Sequence, residues 1–482
     1  MSKKRNRIFI NNLSKIIAII SFVIFFIFSY YIFKLNMLPS KYVLIFFFSF
    51  ILLYSFFTLL SFINKVKKKI KIINMVILTL FSIVFGFGIF YIDKTINFVD
   101  KISEETSQNK EYYISVLINS SIKEIKDLKN KKIGLYNSGS QKNSLKATEK
   151  LTKTISFQTT KYEDVIEMFE SLNNNEIDAV LIDNTIINLL ESELNYLNVS
   201  LKKIFTFSIN IETEDIVKVV DVTTTPFNIY VSGGDAYGSI DRVTNTDVNI
   251  VVSVNPKTQQ ILITSIPRDY YVNLIGLEDT NAMDKLTHAG YYGIETSVKT
   301  VEKLLDTEIN YYVKINFSTI ENLVNAIGGI NVYSDFAFTA SDHIHTYNYG
   351  NNYLDGAAAL MFARERKSFS NGDIQRVKNQ QKVIKEIINK ITSSTVLISK
   401  YTTLLDSMSN YFQTNLDSKS VSRLVKFQLN KMYSWQISNQ TLIGTDLYTY
   451  TYSFPSMELY VMKPNNEVVE EAQHKIKEFL AN

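Results

Sequence analysis

The sequence predicts an α/β protein in three parts: an N-terminal anchor of three membrane helices, a small α/β accessory domain, and an α/β/α domain built on a mixed central sheet. Three observations predict it. Phe, Ile, Leu and Val dominate before Asp93 and not after it. Short apolar runs then alternate with helical stretches. Beyond Pro226, two strand-like runs flank an Asn-Pro turn.

A chain of 482 residues has room for about three units. The expected boundaries are 1–95 for a cytoplasmic tail and three transmembrane helices, 96–215 for the accessory domain and 216–482 for the last domain. Apolar stretches from Leu13 to Phe33, Tyr42 to Ile63 and Ile72 to Ile92 are each near the ~20 residues that cross a bilayer. The first is too long, and lacks the small-residue cleavage site, for a removable signal peptide.

Cations fix the orientation, because Lys and Arg stay on the cytoplasmic side. Lys3, Lys4, Arg5 and Arg7 place the N-terminus inside, and Lys65, Lys67, Lys68, Lys69 and Lys71 do the same for the second loop. The first loop carries only Lys34 and Lys41. The segment after Asp93 is then extracytoplasmic, and the protein belongs to the cell membrane. A buried helical hairpin in a soluble protein is the competing reading.

There is no Cys, which excludes disulfides, thiolate metal sites and Cys nucleophiles. The formal charge of +4 is small for this length, and many early basic residues flank apolar segments. That favours anionic membrane lipid over nucleic acid as a partner.

From Tyr112 to Asp215 the pattern is that of a small α/β unit. Lys132–Tyr136 reads as a strand, followed by the turn Asn137-Ser138-Gly139-Ser140, a helix from Leu145, a helix from Tyr162 to Leu172 and the strand Ala179–Ile182. This resembles one lobe of a periplasmic solute-binding protein. A Gly/Ser turn opening a helix can offer backbone N–H groups to an anion, but an accessory or docking domain that binds nothing small fits as well. Thr213 to Thr225 reads as a linker ending at Pro226.

The chemistry concentrates beyond it. The strand Phe227–Val231 empties into Ser232-Gly233-Gly234-Asp235-Ala236-Tyr237-Gly238. Asp235 in such a loop suits Mg²⁺, a hard cation that prefers carboxylate oxygen, or is an ordinary turn aspartate. Next, Asp247–Val254 and Gln260–Ile266 form a hairpin around Asn255-Pro256-Lys257-Thr258. Asp247 lies about ten residues before the turn centre and Arg268 about eleven after it, so both should open onto one sheet edge. A surface salt bridge explains that pair equally well.

A helix starting near Asp355 ends in Ala363-Arg364-Glu365-Arg366. The arginine fork holds phosphate oxygens in pairs, although a solvated helix end has the same composition. On the run from Asn371 to Ile391, at about 100° per residue, Val377, Ile384, Ile387, Ile388 and Ile391 share a stripe with Asp373, Arg376 and Gln380. Inward charges must be paired or line a cavity. The reading is a polar site beneath an apolar body, or a structural Asp-Arg pair.

At these residues the chain resembles the LytR-CpsA-Psr family, and in particular its streptococcal capsule-type members with three membrane helices and an accessory domain. The resemblance runs from about Phe227 to the C-terminus. It rests on Ser232-Gly233-Gly234-Asp235, Asp247 with its strand, Ser265-Ile266-Pro267-Arg268-Asp269, Asp284-Lys285-Leu286-Thr287-His288-Ala289-Gly290, Ala326-Ile327-Gly328-Gly329-Ile330, Arg364-Glu365-Arg366, and Gly372-Asp373 with Arg376 and Gln380.

The resemblance implies a Mg²⁺-dependent phosphotransferase. It would move a capsular polysaccharide or teichoic-acid-like polymer from an undecaprenyl-pyrophosphate carrier to peptidoglycan as a phosphodiester. Capsule-synthesis membrane proteins are implied as neighbours. Asp235 and Asp247 would hold the metal. Arg268, Arg364 and Arg366 would grip the pyrophosphate as catalytic residues, with Asp235 near the acceptor hydroxyl, and Asp269, Asp373, Arg376 and Gln380 would bind substrate. Many relatives have Arg two residues before the strand Asp, where this chain has Asn245, and Arg242 is the candidate substitute. The apolar residues Val298, Val301, Leu304 and Leu305 suit either a polyprenyl channel or the core. A sensor of the lipid-linked precursor that regulates polysaccharide synthesis, and a pyrophosphate-lipid hydrolase, are the alternatives.

Overall fold

The computed structural model describes residues 2–103, 108–136, 141–194, 201–211, 216–234, 245–370, 372–393, 411–431 and 434–481. They form two compact units. One comprises residues 2–103 with the helix Ser418–Lys431 and its flanks, and the other comprises the remaining described residues.

In the first unit, helices Ser2–Leu35, Ser40–Phe62 and Lys68–Ser103 are each long and apolar enough to cross a membrane. They overrun the three apolar stretches, since polar flanks continue the helices beyond the apolar windows. Phe25, Tyr54 and Phe85 are buried between them, with Phe25 and Tyr54 stacked at 5.1 Å. Some polar groups within the bundle find partners across it: Asn74 donates to Ser61 Oγ at 2.7 Å, and Ser82 donates to Ser21 Oγ at 2.8 Å. An apolar surround makes such pairing necessary.

Among its described residues the second unit holds two large sheets and four two-stranded ones. The first has strand order Gln158–Tyr162, Lys132–Tyr136, Ala179–Asp183, Gln108–Leu117, Leu201–Ile211, parallel in its first three strands and antiparallel after them. The helix expected from Tyr162 starts at Val165, because Tyr162 still belongs to a strand and Asp164 caps the helix by accepting from Ile166 N. The turn 137–140 lies outside the described residues.

The second sheet has six strands in the order Phe412–Thr414, Tyr311–Asn316, Phe227–Gly234, Val248–Asn255, Gln260–Ile266, Gln436–Thr441. It is mixed, with antiparallel pairs at its centre and parallel pairs on either side. On one face Tyr230, Val251 and Leu262 pack with helices Ile294–Leu305 and Asn466–Ala481. Strand side chains alternate faces, so Val248 and Ile250 face the other layer, made by helices Phe317–Ala326, Gly356–Arg364 and Gly372–Ser393. This is an α/β/α sandwich. Val298, Val301 and Leu305 lie in its main core against Val469, Ala472 and Ile476, so core packing, and not a lipid channel, accounts for their spacing.

Candidate functional site

The site is built where the central hairpin ends. Its register pairs Asn249 with Ile266, so the same register carried two residues outward sets Asp247 opposite Arg268. Pro267 lacks an N–H and ends the ladder between them. Arg268 Nη1 donates to both carboxylate oxygens of Asp247, at 3.1 and 3.2 Å, and its Nε donates to Asp269 Oδ2 at 3.3 Å. Asn245 Nδ2 and Thr287 Oγ1 also donate to Asp247 Oδ1, at 3.1 and 3.2 Å. Asn245 thus supports the carboxylate by hydrogen bonding. Asp235 and Arg242 lie outside the described residues, as does the side chain of Asp373.

The segment Asp284–Ala289 is stitched along this edge. Thr287 N donates to Arg268 O, and Thr246 N donates to Thr287 O. Behind it Asp284 is fully buried and accepts from Lys285 N at 2.8 Å, from Ser453 N at 2.9 Å, and from His288 Nδ1 at 2.7 Å. His288 Nε2 donates to Glu193 Oε1 at 3.1 Å, and Lys285 Nζ lies 2.6 Å from Glu193 Oε2 and 3.7 Å from Asp269 Oδ1. Burial opposes a charge on His288, but the Asp284 and Glu193 carboxylates outweigh it and raise its pKa from 6.5 to about 9. For Glu193 burial pushes upward, and His288 with Lys285 overcomes it, holding the carboxyl near about 2.

Two cavities flank the pair. One is lined by Arg268, Asp269 and Arg376 together with Ile374, Val377 and Leu442. The other, of about 50 Å³, is mostly apolar, with Val248, Phe317, Ile320, Leu360 and Ile384 in its wall and Asn316, Arg364 and Gln380 as polar members. Gly233 is required beside it, because a Cβ there would sit 2.7 Å from Val248 Cβ. The Arg364 guanidinium lies 4.0 Å over the Phe317 ring. Between the two exposed arginines of Arg364-Glu365-Arg366, Glu365 is buried and accepts from the backbone N–H groups of Ser341 and Ser368. That buried carboxylate fixes how the chain leaves the helix. Arg366 lines neither of these two cavities.

Sequence reasoning missed several residues. Gln381 is buried and donates to Ser265 Oγ, Gln440 O and Thr441 Oγ1, each at 2.9 Å, which ties the long helix to two strands. Asn379 likewise holds Phe362 O. Glu193 carried a legible signal: Ile186, Leu189, Leu190 and Glu193 are spaced as one helix face.

The fold and site define a class: a three-layer α/β protein following apolar helices, with a carboxylate-guanidinium pair at one sheet edge and an apolar cavity beside it. The chain belongs to the LytR_cpsA_psr family, whose model matches residues 195–467. It is 34% identical over 215 residues to the polyisoprenyl-teichoic acid–peptidoglycan teichoic acid transferase TagU of Bacillus mycoides, covering 44% of this chain and 66% of that protein. The protein of the same name from Enterococcus faecalis is 35% identical over 202 residues, 41% of this chain and 64% of that one. Biofilm regulatory protein A of Streptococcus mutans is 33% identical over 233 residues, 45% of this chain and 57% of that one. The chain thus spans less than two thirds of the length of the relatives named here, marginally so for the first. Among solved structures, TagT bound to LIIa-WTA aligns with a TM-score of 0.45 at 27% identity, covering 55% of this chain and 95% of that one.

Proposed function

We propose that this protein transfers a glycopolymer from an undecaprenyl-pyrophosphate carrier to peptidoglycan, forming a phosphodiester on the outer face of the cytoplasmic membrane. The observation that carries the reading is a sheet edge that presents Arg268 from between two carboxylates, next to an apolar cavity, which suits a lipid with a phosphorylated head. The names of the TagU relatives support polymer and acceptor. The three apolar helices and their flanking lysines support the location.

In the reaction the acceptor hydroxyl oxygen attacks the phosphorus that bears the polymer. The P–O bond to the bridging oxygen breaks, polyprenyl phosphate leaves, and the hydroxyl proton is lost, with Asp235 the candidate that the family resemblance offers to receive it. Arg268, Arg364, Arg366 and Arg376 stabilise charge on the leaving and non-bridging oxygens. Arg268 is held ready by Asp247 and Asp269, so little reorientation is needed. Gln380 and Asp373 contact the head group.

Asp247 offers Mg²⁺ a hard oxygen: among the described residues Oδ2 accepts only from Arg268, and a carboxylate oxygen has lone pairs to spare. With Asp235 it would hold the ion, which supplies further neutralisation of the pyrophosphate. The apolar cavity has room for little more than a water or two. A polyprenyl tail would part the helices Phe317–Ala326 and Gly372–Ser393 on entry.

The test is product analysis with the full chain in vesicles, given lipid-linked polymer and peptidoglycan. Polymer joined to peptidoglycan supports the reading. Free phosphorylated polymer points to a hydrolase, and lipid bound but unchanged points to a sensor, a role in keeping with the regulatory name of the Streptococcus mutans relative.

A further inference from the structure

The helix Asn184–Leu194 belongs to the first sheet's layer, yet its inward face ends in a charge. Ile186, Leu189 and Leu190 enter a core shared with Tyr291, Phe454 and Leu459 from beyond Pro226. Glu193 is the next residue on that face. The apolar contact therefore drives a carboxylate into the neighbouring polar layer, where burial is tolerable only with partners.

It has two. Oε2 takes Lys285 at 2.6 Å and Oε1 takes His288 at 3.1 Å. Through Lys285 the line continues to Asp269 at 3.7 Å, then to Arg268 at 3.3 Å and to Asp247 at 3.1 Å. Charges alternate along it, and the side chains of Lys285 and Asp269 are 6% and 9% exposed, so water does little to screen one step from the next.

We propose that Glu193 is a positioning residue for the phosphate-binding edge: by holding Lys285 it keeps Asp269 free to orient Arg268. The proposal rests on the transfer function inferred above. Without the Glu193 charge, Lys285 has Asp269 as its nearest carboxylate partner and competes with Arg268 for it. Arg268 then keeps its contact to Asp247 and loses the hydrogen bond from Nε to Asp269 that helps to fix the plane of its guanidinium. The first sheet's layer thus acts on chemistry it does not touch, through one carboxylate.

The test is a double-mutant cycle in the full-length protein in vesicles. Glu193→Gln keeps the size of the side chain and an acceptor for His288 while removing the charge. It should lower kcat for polymer transfer about tenfold, with a smaller change in KM. In a Lys285→Met background, where the competing cation is gone, the same substitution should change kcat less than about twofold. A residue that merely bolts two layers together predicts independent losses and no such suppression. Wild-type kcat in Glu193→Gln, or losses that multiply in the double variant, would overturn the proposal.

The unsubstituted protein tests the function separately. If it binds undecaprenyl pyrophosphate but transfers nothing, the transfer reading fails, and the same cycle is read in affinity for that lipid, with the same suppression expected. If it does not bind the lipid, both readings fail.

Discussion

Asp247 and Arg268 stand opposite each other two residues beyond the last paired rung of the central hairpin, and Arg268 Nη1 reaches both carboxylate oxygens. Asp247→Ala removes the group that aims Arg268 and one proposed Mg²⁺ ligand together. Transfer should fall by about 10²–10³, and added Mg²⁺ should not restore it. Retained activity in the presence of excess chelator would remove the metal from the mechanism.

Arg268 comes from one segment, and Arg364 and Arg366 come together from another. Each change to Ala should cost on the order of 10²–10³ in rate if all three serve one pyrophosphate. Lys keeps the charge and loses the fork, so rescue should be partial. Arg366 is the sharpest case, because it lines neither cavity that flanks the Asp247–Arg268 pair. Wild-type rates in Arg366→Lys would make it a solvated arginine.

The His288 and Glu193 pair predicts a stability profile with two limbs. His288 is raised to about 9, so its contribution is full below its ordinary 6.5 and is lost as pH climbs from there through about 9. Glu193 is held at about 2, so its contribution is full above its ordinary 4.5 and is lost as pH falls from there through about 2. The unfolding temperature of the purified full chain should therefore be highest between pH 4.5 and 6.5. His288→Gln should flatten the alkaline limb, and a wild-type profile level from pH 6.5 to 9 would contradict the assignment.

The apolar cavity predicts a separation of tail from head. Ile320→Phe adds bulk to its wall at a cost of about 1–3 kcal/mol or less in stability, since there is space to receive it. Affinity for undecaprenyl pyrophosphate should drop while affinity for inorganic pyrophosphate holds. Parallel losses for both would show that the tail lies elsewhere.

The charge asymmetry around the apolar helices predicts orientation. Protease added to intact, wall-stripped cells should digest the chain after Asp93. A protected C-terminal region would reverse it.

The sheet was legible because strand signals are local: Gln260–Ile266 and its turn were read directly, and the hairpin arithmetic brought Asp247 to Arg268. The long helix was read too, but its stripe named Arg376 and missed Gln375, Asn379 and Gln381, all buried. Amides score as solvent-facing in a periodicity argument, and only the neighbouring carbonyls and hydroxyls reveal why they turn inward. Lys285 and Glu193 meet across 92 residues of sequence, a separation at which no pattern reports a contact. Val298 and Val301 show the converse limit, since apolar spacing marks burial without saying whether lipid or protein covers it.

The common cluster of Ile186, Leu189 and Leu190 with Tyr291, Phe454 and Leu459 makes the two sheets partners in cooperativity. Neither closes its own apolar surface, so calorimetry on the region beyond the apolar helices should give one transition where two modules joined by a tether would give two. For engineering, a chain cut before Pro226 would expose Tyr291 and Phe454, which are at most 3% exposed here, and should aggregate. Grafting the first sheet onto another protein would demand that its seat on the second travel with it.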